Sequence, residues 1–231
     1  LDRIVSLQDF EDFAQAFAGI GKAQAVSVWS GESNLVHITV ADDDGDPVPV
    51  NTMKNLREAI DDARDPSVEV EIKNYEQLSF CLEATVLYDS SYLTEKVREA
   101  VEDTLREAFS FERRHFGQPV TAAEIVSAIH RVKGVIAVDL DALYAKTTTG
   151  APIVALRPAK LTHLMARFLG IGGVGLPGPS LPGRLRLATG EKGKAAAVLP
   201  AKTARRENGD ILPAQLLLLD EAGIHLTMKA V

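Results

Sequence analysis

Ser6-Leu-Gln-Asp-Phe-Glu-Asp-Phe-Ala-Gln-Ala-Phe-Ala-Gly19 and Thr121-Ala-Ala-Glu-Ile-Val-Ser-Ala-Ile-His-Arg-Val-Lys-Gly134 decide how this chain is read. Each opens on a hydroxyl residue with an acid three positions on, the pattern in which both side chains can cap backbone N–H groups of a starting helix. Apolar residues then recur at helical spacing: Phe10, Phe13, Ala14 and Phe17 in one, Ile125, Ala128, Ile129 and Val132 in the other. Each stretch stops at a glycine, where a left-handed C-terminal cap costs least, and an apolar residue, Ile20 or Val135, starts what reads as a strand. One offset of 115 residues aligns all of these positions. Any two amphipathic helices share part of this pattern; cap, stripe and glycine in common register favour a structural repeat.

Outward from these units, residues 22–29 and 35–41 read as strands around a Ser30–Asn34 turn, and 51–64 as a helix with Leu56, Ile60 and Ala63 inward. Val68–Lys73 alternates as a strand with one wet face. Leu78–Tyr88 puts Leu78, Phe80, Leu82, Ala84 and Val86 on one side, and Leu93, Val97, Val101, Leu105 and Phe109 form a helix stripe. The expected fold class is α+β: two small modules, 1–76 and 77–145, with helices on largely antiparallel sheets. Residues 146–231 form a third region. It comprises a Thr147–Gly150 linker, a short strand, a helix with Leu161, Leu164, Met165, Phe168 and Leu169 inward, and a Gly/Pro-rich stretch over 170–183. Ile211–Leu219 and Ile224–Met228 around Glu221-Ala-Gly223 read as a terminal β-hairpin.

Hydrophobic residues at 46% and charged residues at 25% describe a chain able to bury a core. No apolar run approaches the roughly 20 residues of a membrane helix, and no basic-then-apolar start reads as a secretory signal. The chain opens on Leu1, as expected for a piece of a longer protein. The single cysteine, Cys81, fits a reducing cytoplasm. A net charge of −7 conceals an asymmetry: residues 1–145 hold 27 acids against 13 Lys/Arg, and 146–231 hold 12 Lys/Arg against 5 acids. Opposite fields attract, so the basic stretch from Arg157 to Arg206 is expected on an acidic surface of this chain or of a neighbour. Phe168 is its one aromatic, too few for base stacking, so nucleic acid is not the expected partner.

Motifs that suggest chemistry fail on context. Gly170-Ile-Gly172-Gly-Val-Gly175 follows a helix and precedes prolines, the inverse of the strand-to-helix turn that cradles a pyrophosphate. Asp42-Asp-Asp-Gly45-Asp46 lacks the first and last carboxylates of a calcium loop and reads as a turn. The five histidines share no metal spacing, and His37 falls on an expected exposed strand face. Cys81 reads as a packing residue. No cofactor, metal or catalytic set is expected.

Phe109-Ser-Phe-Glu-Arg-Arg-His-Phe-Gly117 crowds aromatics and basic groups at a helix exit. It reads either as an anchor at a subunit interface, where aromatics and Arg are enriched, or as a loop tucked into its own core. The candidate interface residues are Phe109, Phe111, Arg113, Arg114 and Phe116, with Arg157, Arg167, Arg184, Arg186, Arg205 and Arg206 from the basic stretch. Trp29 admits the same two readings.

Phe116-Gly-Gln-Pro119 followed by Val120-Thr-Ala-Ala-Glu-Ile125 and Gly134-Val135 resembles the second half of baseplate J-like proteins. The opening around Ser6–Ala14 and Gly19–Ala23 resembles the first half, and Pro213–Asp220 is similar to the terminal strand of the longer baseplate assembly proteins. The resemblance implies a structural wedge component of a contractile phage tail or injection machine. It would be assembled in the cytoplasm into a virion or extracellular particle, with other wedge subunits and copies of itself as partners, and without catalytic residues or a cofactor. A small-molecule-binding regulatory α+β module is the alternative, and a pocket at the module junction would mark it; an enzyme is third, and would need perturbed titratable groups gathered in one cleft.

Overall fold

The structure is a computed structural model and describes residues 3–146, 152–153 and 198–231. Both quoted stretches fold as capped helices. In α1 (Leu7–Gln15) the Ser6 hydroxyl accepts from Asp9 N at 3.1 Å, while the Asp9 carboxylate accepts from Ser6 N at 2.8 Å. Phe10 and Ala14 are buried, and Gly19 turns the chain at φ +86. A hairpin follows, β1 (Lys22–Trp29) and β2 (Asn34–Ala41), in register from Lys22↔Ala41 to Trp29↔Asn34. The helix α2 (Val50–Ala63) then carries the chain back, so β3 (Val70–Asn74) pairs β2 in parallel. Helices α1 and α2 cover one face of this sheet, with Phe10, Ile38, Val40, Leu56 and Ile60 in a shared core.

The second module begins with β4 (Glu76–Tyr88), α3 (Thr94–Ala108), β5 (Val120–Thr121) and α4 (Ala122–His130). Thr121 and Glu124 cap α4 reciprocally, Oγ1 accepting from Glu124 N at 3.1 Å and Oε2 from Thr121 N at 3.0 Å. Gly134, at φ +91, leads into β6 (Val135–Lys146), which runs antiparallel to β4. The offset of 115 therefore holds for cap, helix and glycine alike. The units differ in pairing: β1 pairs only the strand that follows it, whereas β6 pairs mainly β4, from before α3. Short pieces follow: β7 (Pro152–Ile153), β8 (Val198–Leu199), β9 (Arg205–Glu207) and β10 (Asp210–Leu212). The chain ends in β11 (Gln215–Ala230), and the sheet order is β11-β4-β6-β7. Its core joins Phe80, Leu82 and Val86 of β4 to Val101 and Leu105 of α3 and Ile125 and Ile129 of α4. Each such side chain, fully buried, contributes about 1.5–3 kcal/mol.

Four expectations are corrected. The sheets are mixed, because β2–β3 and β4–β11 pair in parallel. The expected terminal hairpin is one strand: Leu219 pairs with Phe80 and Ile224 with Leu82, so residues 220–223 bulge past Cys81 and the strand continues. A Cβ at Gly223 would lie 2.8 Å from Cys81 Sγ, so only glycine lets the bulge sit this close to β4. The hairpin lies upstream, where β9 and β10 turn at Asn208 and Gly209, both at positive φ. Leu93 is not inward: it is the N-cap of α3 and is 72% exposed. His37 is not on an exposed face, since β2 is buried on both faces. The helix expected around Leu161–Leu169 and the Gly/Pro-rich stretch lie outside the described residues.

Candidate functional site: the joint between the modules

The aromatic and basic loop after α3 builds a joint. Phe109, the C-cap of α3, meets Phe80 edge-on with centroids 5.3 Å apart. Arg114 is 2% exposed. It donates to Glu124 Oε1 at 3.2 Å and to the carbonyls of Gln118 and Pro119 at 3.1 and 2.6 Å, and its guanidinium stands 5.5 Å from the Phe109 ring. Burial lowers its pKa, and Glu124 opposes that shift. Its Nε has no partner among the described residues. Phe116 packs on Tyr75, centroids 5.5 Å apart, and Phe111 flanks the same ring at 6.4 Å. Tyr75 donates to Gly45 O at 2.5 Å; burial raises its pKa, and Asp46 and Asp42 add to the rise. The acidic run at Asp42 is thus a turn, Asp42 Oδ1 accepting from Asp44 N and Asp46 N. Lys22 stands over Phe111 and donates to Glu112 O at 3.2 Å, and its pKa is lowered by burial.

The C-terminal segment straps both modules together at this joint. Toward the first module, Ala214 N donates to Thr39 Oγ1 at 3.0 Å and Lys73 Nζ to Ile211 O at 2.6 Å. The Arg206 guanidinium lies against Gly31. Toward the second, Gly117 N donates to Gln215 O at 2.8 Å. Gln215 Nε2 donates to Glu76 Oε2 at 2.9 Å, and Arg205 pairs with Glu207 at 3.0 Å and Glu76 at 3.9 Å. Ala41, Phe116, Ala214 and Leu216 close an apolar cluster of their own.

The candidate residues therefore divide. Phe109, Arg114 and Phe116 are buried inside the chain, and Phe111 and Arg205 are half-buried in the joint. Arg113 is exposed and paired with Glu107 at 2.9 Å, and Arg206 is exposed. Arg157, Arg167, Arg184 and Arg186 lie outside the described residues. Among the described residues, a surface depression of about 390 Å³ between α3 and α4 borders the joint at Phe109 and Glu124, and another of about 310 Å³ lies beside α2 and β3; side chains fill the apolar centre of the joint itself. Cys81 is buried beside Tyr144, Lys146 and Asp220, and burial pushes its thiol pKa up.

Sequence reasoning missed an exposed apolar patch at the far end of the second sheet. Tyr92 lies over Gly134, and Leu93, Ile136 and Val231, on the segments that meet there, are each at least 52% exposed. The Asp89–Leu93 turn is what assembles it, through Asp89 N to Gly134 O and Ser90 N to Val231 O. Among the described residues no helix is long and apolar enough to cross a membrane.

The first module has a recognisable relative. Residues 2–73 match the Baseplate J-like central domain. That match covers α1 to β3, the first module. No curated protein matches the chain. Among solved structures, a chain of the cryo-EM structure of the anti-feeding prophage baseplate, 6-fold symmetrised, aligns with a TM-score of 0.46 at 11% identity. The alignment covers 62% of this chain and 33% of that one, so the chain spans about a third of that relative.

Proposed function

We propose that this chain is a structural, non-catalytic component of the baseplate of a contractile tail or injection machine, a wedge subunit that acts through its surfaces. The observation carrying this reading is the match of residues 2–73 to the Baseplate J-like central domain. The joint supports it physically. Two small modules tied by a packed aromatic cluster, a buried arginine paired with Glu124 and a strap reaching both sheets resist flexing, as a part that transmits displacement must. The acidic body and basic stretch serve neighbour recognition, since complementary charge steers association and fixes register. The particle is assembled in the cytoplasm and becomes part of a virion or an extracellular device.

The test mixes the chain with the neighbouring wedge proteins at low and high salt and follows complex formation by light scattering. Salt-sensitive association supports the reading; no association at low salt removes it.

A further inference from the structure

The polar pair on the inner side of β2 lies under the strap. Val36, Ile38 and Val40 point into the helix-covered core, while His37, Thr39 and Ala41 face the other way. Thr39 accepts from Ala214 N, Ala41 packs against Ala214, and Lys73, opposite Thr39 on β3, reaches Ile211 O. Further along, Arg206 lies on Gly31 in the turn before β2. The strap thus runs over His37, which is 0% exposed. Its Nδ1 lies 3.4 Å from Thr39 Oγ1, and its Nε2 has no partner among the described residues. A neutral ring tolerates this site; a charged ring would bury a cation with one donor unsatisfied.

We propose that His37 makes the clasp between the strap and the first module acid-labile, protonation of the imidazole releasing residues 205–214 from β2 while both sheets stay intact. The device stands on the joint alone and does not require the baseplate reading. Among the described residues the groups facing His37 are few. Glu71, its partner on β3, favours the cation, and Lys73 disfavours it. Across on β1 stands Val26, with Gln24 opposite Thr39. From the strap come Arg205, already paired with Glu207 and Glu76, and Arg206 over Gly31. Burial dominates and lowers the imidazole pKa from 6.5 to about 4 with the strap closed. A pKa depressed in the closed form means that the clasp is stable above pH 6.5 and weakens as pH falls toward 4. Between pH 7 and pH 5 the opening equilibrium shifts about 20-fold toward release, if the opened ring titrates at its ordinary value.

Hydrogen exchange on the full 231-residue chain at pH 7 and pH 5, corrected for the intrinsic pH dependence, reads this directly. The Ala214 amide should lose about 20-fold of its protection, while amides of Leu82 and Val86 in β4 keep theirs. In His37→Leu the Ala214 loss should vanish, and His37→Gln serves if that variant does not fold. Unchanged Ala214 protection overturns the proposal. So does an equal loss in the variant, or loss at Ala214 together with β4, which is global unfolding.

Discussion

Arg114→Ala offers the sharpest test of the joint, because the neighbouring Arg113 supplies its control. Truncation removes a guanidinium that is 2% exposed, together with three hydrogen bonds, to Glu124 and to the Gln118 and Pro119 carbonyls. Glu124 is 41% exposed at its side chain, so its charge rehydrates and the full cost of a broken buried pair, about 3–5 kcal/mol, is an upper bound. The two carbonyls are the larger loss, at about 1–1.5 kcal/mol each after water enters, and the contact with the Phe109 ring adds roughly 0.5–1. The sum is about 3 kcal/mol, near 150-fold in the folding equilibrium. Urea unfolding of the full chain measures it as a lower midpoint at unchanged slope. Arg113→Ala breaks an ion pair whose side chains are 65% and 71% exposed and should shift stability by less than about 0.5 kcal/mol. Equal effects at the two positions, or a change under about 1 kcal/mol at Arg114, would refute the buried-joint reading and return Arg114 to the surface.

Other outcomes follow from single contacts. Ser6→Ala and Thr121→Ala each remove one half of a reciprocal cap, and each should cost about 1 kcal/mol by denaturant midpoint. Leu93→Asp should do the opposite and raise the melting temperature: the N-cap of α3 has no side-chain hydrogen bond now, and an acceptor there is worth roughly 0.5–1 kcal/mol. Gly223→Ala should destabilise by about 1–3 kcal/mol, because its methyl meets both Cys81 Sγ and Asp220 Cβ at 2.8 Å. Cys81→Ala in the same chain should recover part of that loss, and a purely additive double variant would contradict the bulge geometry.

What could be read from the residues was whatever local physics decides. Caps, helix stripes and stopping glycines need only neighbours within a few positions, so α1, α4, Gly19 and Gly134 stand where the pattern put them. The α3 stripe was legible from Val97 to Phe109 for the same reason and failed at Leu93, where the chain has not yet begun to wind. His37 and Thr39 alternate with valine and isoleucine like a wet strand face. The cover over Thr39 comes from Ala214, 175 residues further on, and no local pattern carries that. Gly223 looked like a turn because glycine permits both a turn and a close backbone approach, and only the parallel partner β4 decides between them. Asn208-Gly209 was a hairpin signal in plain view, hidden among basic residues. The loop after α3 was open between anchor and core, and Tyr75, reached through the fold, places most of it in the core.

The baseplate assignment is tested most directly by locating the chain in the intact particle. Contractile particles purified from producing cells that carry an epitope-tagged chain would be imaged by cryo-electron microscopy with a tag-binding fragment. Density for the fragment confined to the baseplate ring is the result expected. Labelling of the sheath or tube instead, or purified particles without the chain, would contradict the account.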